Sequence, residues 1–112
     1  MVGLERAHQY RAAVNGYRTA LTRWPGSFSA RMGLGNSYYA LGELKSSETA
    51  FKETIRLHPE ESSAYNNLAQ VLMEQGRYPE ALESARKAVS LGGPLRAVYL
   101  ETIREIESQM SQ

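Results

Sequence analysis

The side chains that could carry out chemistry in this sequence are few. Its only two imidazoles, His8 and His58, are 50 positions apart and form neither an HExxH motif nor an i, i+4 pair. None of the 112 residues is Cys, and all 12 acidic residues are Glu. Cysteine nucleophiles, thiolate zinc sites, a triad aspartate and the Asp-containing loops that hold Ca²⁺ are therefore excluded. We predict no catalytic site, no metal and no cofactor, and hence a protein that is not an enzyme.

Other groupings of polar residues and glycines have simpler structural explanations. The run Gly33-Leu34-Gly35 lacks the preceding strand and the Lys-Ser/Thr pair of a phosphate-binding loop, so close helix contact at Gly35 explains it better. No serine has a His and an acid arranged beside it, and we predict that Ser27 and Ser62 cap helices. The acidic pair Glu60-Glu61 could bind a cation, but a position at a helix start accounts for it as well.

Charge and hydropathy exclude further classes of protein. Lys and Arg number 13 against 12 Glu, a net charge of +1, so the basic excess of a nonspecific nucleic-acid binder is absent. No stretch approaches the roughly 18 apolar residues of a membrane span, and the opening MVGLERAHQYR contains no signal-peptide core. We expect no nucleic-acid or membrane partner and a cytoplasmic location, although a piece of a longer protein would have lost its targeting signal.

A period of 34 residues organises the chain. The identical residues that this offset superimposes are Pro25 and Pro59, Ala30 and Ala64, Leu34 and Leu68, Gly42 and Gly76, and Leu57 and Leu91. Within each period the apolar residues recur at helical spacing, as Leu34, Tyr38 and Leu41 do. A period of this length is typical of solenoids that stack one helical hairpin on the next.

The stop signals divide the chain into helices. Pro25 and Pro59 cannot continue a helix, while Gly42 and Gly76 suit its left-handed C-terminal residue. We predict helices over 10–23, 28–41, 44–57, 62–75, 78–91 and 95–109, paired as antiparallel hairpins, and no strands. Residues 4–8 (LERAH) are predicted to be the last turns of a preceding helix.

The period of 34 residues and several residues within it resemble the pattern of the tetratricopeptide repeat family. The matching residues are Leu34-Gly35, Tyr38, Gly42, Ser47, Phe51, Thr54 and Pro59 in one unit and Tyr65, Leu68-Ala69, Leu72, Gly76, Tyr78, Ala81, Ala85 and Ala88 in the next. Arg31 departs from the bulky residue of the family pattern. The resemblance implies an all-α, right-handed superhelical solenoid of about six helices. It forms a single domain over 1–112, with a partial repeat (1–27), two repeats (28–61 and 62–95) and a C-terminal capping helix (96–112).

The resemblance also implies a function that needs no chemistry. In such solenoids a protein or peptide segment binds the concave groove formed by the first helices of the repeats. The residues that we predict to face this groove are Met32, Asn36, Tyr39, Asn66, Asn67, Gln70, Met73 and Arg104. Amides can bond the backbone of an extended peptide, and Met and Tyr supply adaptable apolar contacts. The alternative is that these are ordinary surface residues on half-polar helices.

One subset of the family grips acidic C-terminal tails with two Asn and three cationic side chains. By resemblance, Asn36 and Asn67 occupy the two amide positions. Met32, Ala97 and Glu101 stand where the cations belong. We therefore predict that acidic C-terminal peptides of this kind do not bind.

Two alternatives to peptide binding stay open. The chain could be an architectural segment of a larger protein or enzyme whose catalytic part lies elsewhere. It could also form weak homo-oligomers head to tail. Residues 1–23 carry four Arg against one Glu, a net charge of +3, and residues 59–112 carry five basic against eight acidic residues, a net charge of −3.

Overall fold

The computed structural model describes residues 3–112, which form six α-helices and no strand. The helices are α1 (Leu4–Arg23), α2 (Phe28–Ala40), α3 (Leu44–Leu57), α4 (Ser62–Glu74), α5 (Tyr78–Leu91) and α6 (Arg96–Met110). Each packs on its neighbours in chain order, and α4 also contacts α2 and α6 directly. The all-α helical-repeat solenoid is confirmed, with α2 to α6 within one residue of the predicted bounds. Between residues 3 and 112, no helix is both long and apolar enough to cross a membrane.

The first helix differs from the sequence prediction. α1 begins at Leu4 rather than at residue 10, so residues 4–8 are its opening turns and not the end of a preceding helix. The backbone N–H of Ala7 already donates to the Gly3 carbonyl at 2.8 Å. The segment LERAHQ contains mostly good helix formers and neither Gly nor Pro, so nothing separates it from the helix that follows.

Only one of the two predicted serine caps is present. Ser27 precedes α2, and its hydroxyl accepts a hydrogen bond from the Ala30 N–H at 3.1 Å. The prediction for Ser62 is wrong, because this residue is already helical and Glu61 takes the cap position of α4. The Ser62 hydroxyl instead lies 3.1 Å from the hydroxyl of Tyr99, which ties the start of α4 to α6.

The turns inside the two hairpins are alike. Gly42 and Gly76 both have a φ of +76°, a left-handed conformation that suits glycine. The next amides, those of Glu43 and Arg77, donate back into the last turn of the first helix at 2.9 Å in both hairpins. Equivalent turns therefore present Glu43 and Arg77 at equivalent places on the solenoid.

The two hairpins fill their cores differently. In the first, Phe51 is 1% exposed and lies against Gly35, where an added Cβ would come within 2.5 Å of the ring. This confirms the predicted close helix contact at Gly35. In the second hairpin the same two positions hold Ala69 and Ala85, both fully buried. The first hairpin thus packs a phenylalanine against a glycine, and the second packs two alanines at the same positions.

The last helix covers one end of this core. α6 packs on α5 and α4 and buries Tyr99, Thr102 and Ile106. Glu101 and Glu105 of the same helix stay exposed. Helix α6 therefore has a buried face and an exposed face, and its role as a capping helix stays a prediction.

Candidate functional site

A pair of amides joins the first helices of the two repeats. Asn67 Nδ2 on α4 donates to Asn36 Oδ1 on α2 at 3.0 Å, and Asn36 is exposed. The direct bond uses one donor and one acceptor, so each side chain keeps further hydrogen-bonding capacity. The structure therefore brings together these two residues of the predicted groove.

The next feature is Tyr39, which lies three residues, or about one helical turn, after Asn36 on α2. Tyr39 on α2 is half-buried and packs against the larger core. Its burial raises the pKa of the phenol, and the carboxylates of Glu74 on α4 and Glu105 on α6 raise that pKa further. Two carboxylates from different helices therefore act on one hydroxyl.

Three other predicted groove residues are accessible to different extents. Met32 is half-buried and packs against the larger core, and Gln70 is also half-buried. Arg104 is exposed on α6, where it is paired with Glu101. This pair is exposed and is formed within α6, since Glu101 precedes Arg104 by three residues.

Two of the predicted groove residues are not open to a partner. Asn66 is 4% exposed and Met73 is 7% exposed, and Met73 belongs to the core. The prediction that these two side chains face an open groove is corrected by their burial. Helix α4 contacts α2 and α6 as well as its hairpin partner α5, so few of its side chains stay accessible.

Asn66 has one further peculiarity. Within the described part of the chain, no donor reaches its buried side-chain oxygen Oδ1. A buried acceptor without a donor lacks the stabilisation that water or a partner would give it.

A buried carboxylate that sequence reasoning missed lies between the repeats. Glu48 on α3 is 4% exposed and is bonded by Lys52 at 2.7 Å, Arg77 at 2.9 Å and Gln75 at 3.3 Å. Burial alone would raise its pKa, but these donors outweigh it and lower the pKa to about 2. Arg77 also binds Glu80 at 2.8 Å. All five side chains are engaged with one another, so this cluster is a junction between repeats and not an open site.

The two histidines are far apart in the fold. His58 follows α3 as a loop residue, as predicted, and its Nε2 donates to the Gly26 carbonyl at 3.0 Å while its ring meets Phe28 edge-on. His8 is exposed on α1. Over residues 3–112, no three His or Glu side chains come together in a way that could hold a metal ion.

A separate depression is lined by residues of α3, α4 and α5. It has a volume of about 670 Å³, and its lining includes Ile55, Leu68 and Leu72. The Ser84 hydroxyl in its wall already donates to the Tyr65 carbonyl at 2.6 Å. Its lining offers mainly apolar contact, and none of the predicted groove residues takes part in it.

Comparison with known proteins agrees with this architecture. A family model described as a tetratricopeptide repeat matches residues 3–51 and 33–94. Stress-induced-phosphoprotein 1 of Caenorhabditis elegans is 31% identical over 70 residues, which are 62% of this chain and 22% of that protein. The chain thus spans less than a quarter of that relative's length.

Two solved structures share the fold at low sequence identity. One is the first tetratricopeptide repeat domain of Spaghetti (RPAP3) bound to the HSP90 peptide SRMEEVD. Its TM-score is 0.85 at 15% identity, over 94% of this chain and 82% of that one. The other is the Yersinia enterocolitica type III secretion chaperone SycD with a peptide of the translocator YopD. Its TM-score is 0.83 at 15% identity, over 95% and 86% of the two chains.

Proposed function

Because the chain belongs to the tetratricopeptide repeat family, we propose that it is a non-enzymatic module that binds a peptide or protein segment along α2, α4 and α6. Similarly folded proteins of comparable size have been solved with bound peptides. Membership in the family makes protein interaction the expected role, and the position of the groove and its ligand are the proposal.

The observation that carries the proposal is the amide pair of Asn36 and Asn67. It bridges two first helices at 3.0 Å, and Asn36 is exposed. An extended peptide has a backbone donor and acceptor at nearly every residue, and amide side chains can match both. Half-buried Met32, Tyr39 and Gln70 would add apolar and polar contacts beside it.

A peptide array tests this function without assuming a ligand. The labelled protein, the double variant Asn36→Ala/Asn67→Ala and a control variant are incubated with an array of unrelated synthetic peptides. The control, Ser46→Ala/Thr49→Ala, removes two exposed polar groups from α3. We expect peptides that bind the wild type and the control but not the amide variant. Circular dichroism checks that all three proteins remain folded. An amide variant with an unchanged binding profile, or an array without binders, would contradict the proposal.

The second candidate is an architectural segment of a larger protein, which could also self-associate. What favours it is the short span of the chain relative to its first relative, 22% of that protein's length. In this case the array yields no specific binders. The gene that encodes the full polypeptide then contains further repeats or a catalytic domain. Sedimentation over a range of protein concentrations and salt separates self-association from a constant monomer.

A further inference from the structure

The depression lined by α3, α4 and α5 is separate from the groove of α2, α4 and α6. Within residues 3–112, α3 and α5 do not pack on each other, whereas both pack on α4. Apolar side chains of α4 and α3 therefore line the space that the helices leave, among them Leu68, Leu72 and Ile55. Its volume of about 670 Å³ lies within the range of about 300–1,000 Å³ that is typical of small-molecule sites.

The hydroxyl groups in the lining are already used within the protein. Those of Tyr65 and Ser90 donate to the carbonyls of Pro59 and Lys87, both at 2.9 Å. The hydroxyl of Ser84 donates to the Tyr65 carbonyl at 2.6 Å. Because these protons are engaged, the walls offer a ligand mainly apolar contact, and a polar ligand body would lose its bonds to water without replacement.

The charged side chains of the lining are unequally compensated. Lys52 is bonded to Glu48 at 2.7 Å, and Glu80 is bonded to Arg77 at 2.8 Å. The lining residues that take part in none of the ion pairs of the described chain are Glu83, Arg86 and Lys87. All three are exposed, so two cations stand against one carboxylate. This part of the lining carries an excess of one positive charge.

The equivalent place one repeat earlier differs in both features. The offset of 34 residues puts Tyr38 where Leu72 lies, so a larger side chain packs there. It also puts Glu53, which is paired with Arg56, where Lys87 lies. The combination of apolar space with an unpaired cation is therefore a property of this hairpin and not of the repeat.

We propose that this depression binds an anionic amphiphile, a ligand with a short hydrocarbon chain and a single carboxylate, as in a medium-chain fatty acid. The chain contacts Ile55, Leu68 and Leu72, and the carboxylate binds Arg86 and Lys87. The inference goes beyond the proposed peptide binding, because none of the residues predicted for the groove lines the depression.

Calorimetric titration tests the chemistry of the ligand. Decanoate, octanoate and decyltrimethylammonium are titrated into the protein below their critical micelle concentrations. We expect decanoate to bind at one site. Octanoate should bind about four- to fifteenfold more weakly, because it buries two fewer CH₂ groups. Decyltrimethylammonium has a chain of the same length and the opposite charge, so it should bind at least about fivefold more weakly at low salt.

Matched variants test the role of the cations. Arg86→Gln/Lys87→Gln should weaken the binding of decanoate at least about fivefold. Arg18→Gln/Lys45→Gln removes the same number of charges from exposed positions outside the depression and should retain the affinity. All four positions are on the surface, and circular dichroism checks that both variants remain folded.

Methyl signals locate the hydrocarbon chain without any substitution. The sequence has three isoleucines, at 55, 103 and 106, and only Ile55 lines the depression. In a sample labelled at the isoleucine δ1 methyl groups, decanoate should shift the signal of Ile55 and leave that of the fully buried Ile106 in place.

Four outcomes would each overturn the inference. They are no saturable binding of decanoate, equal affinities for the anion and the cation, equal effects of the two variants, and a shift of Ile106 without one of Ile55. The peptide-binding function is judged separately by the array and the amide variant, which probe other residues.

Discussion

Gly35→Ala should destabilise the protein, whereas Gly33→Ala in the same helix should not. Both substitutions add one Cβ to the interior of α2, and both gain the roughly 1 kcal/mol by which Ala favours a helix over Gly. They differ in what the new carbon meets. At Gly35 it meets Phe51, which is 1% exposed, and at Gly33 it meets the half-buried ring of Tyr17.

The magnitude follows from these contacts. At Gly35 the new Cβ would lie 2.5, 2.7 and 2.8 Å from three atoms of the Phe51 ring, where carbon atoms ordinarily stay about 3.5 Å or more apart. The ring must move by about 1 Å inside a filled core, and overpacking of this kind costs about 1–3 kcal/mol. After the gain in helix propensity, we expect a net loss of about 1 kcal/mol. At Gly33 the new Cβ would lie even closer to the Tyr17 ring, at 2.3, 2.5 and 2.7 Å, but these atoms are the far end of a half-buried side chain. Because that end can shift toward solvent without opening the core, we expect Gly33→Ala to be neutral or stabilising by up to about 1 kcal/mol.

Urea unfolding followed by far-UV circular dichroism measures both effects. We expect a lower midpoint for Gly35→Ala at an unchanged slope, and a melting temperature lower by about 4 °C. Phe51→Ala provides the control background, because Gly35→Ala should become stabilising once the ring is removed. Equal stabilities for the two glycine variants, or a Gly35→Ala effect that is the same with and without Phe51, would refute the reasoning.

Three further substitutions test the junctions and the caps. Glu48→Gln should lower stability at neutral pH and flatten its acid dependence. The folded-state pKa of about 2 lies below the ordinary 4.5, so this stabilisation, on the order of 3 kcal/mol, is present above pH 4.5 and is lost as the pH falls toward 2. Urea melts across that pH range would detect it. Arg11→Ala should leave the urea midpoint unchanged, because its pair with Glu43 is exposed. Ser27→Ala should cost about 1 kcal/mol by thermal melts, and Ser62→Ala less, because only Ser27 caps a helix.

The period and the stop residues predicted the fold well, for local reasons. A left-handed residue after a helix requires glycine, so Gly42 and Gly76 identify the two turns without any knowledge of packing. The helix that was misplaced at its start, α1, lacks such a signal between Leu4 and residue 10. There the family register suggested a break that the residues themselves do not require.

The groove was predicted less well, because exposure on a solenoid depends on the neighbouring repeat. Asn36 and Asn67 bond to each other across α2 and α4, but Asn66 and Met73 are buried. Helical periodicity gives the direction of a side chain relative to its own hairpin. It does not give the distance to the next first helix, and that distance determines which inner positions are buried.

Glu48 was missed although the period contains a signal for it. The offset of 34 places it between Val14 and Leu82, both of which are buried. A charged residue in a register position that is otherwise apolar indicates either an irregular repeat or a buried ion pair. Its partner Arg77 lies 29 residues away in the turn of the next hairpin, so only the stacking of repeats reveals the pair.

The two junctions between repeats contain the same kind of turn, but the signs of the paired charges are reversed. In both, the residue after the left-handed glycine reaches back to the second helix of the preceding unit, Glu43 to Arg11 and Arg77 to Glu48. An exchange of the two turns would place Glu43 near the buried Glu48 and Arg77 near Arg11, so that like charges would meet at both junctions. Because Glu48 is buried, the loss of its partner would be strongly unfavourable, whereas the exposed junction would change little. The native placement of the two turns is therefore more stable than the exchanged placement. Most of this difference in free energy comes from the junction of Arg77 with the buried Glu48.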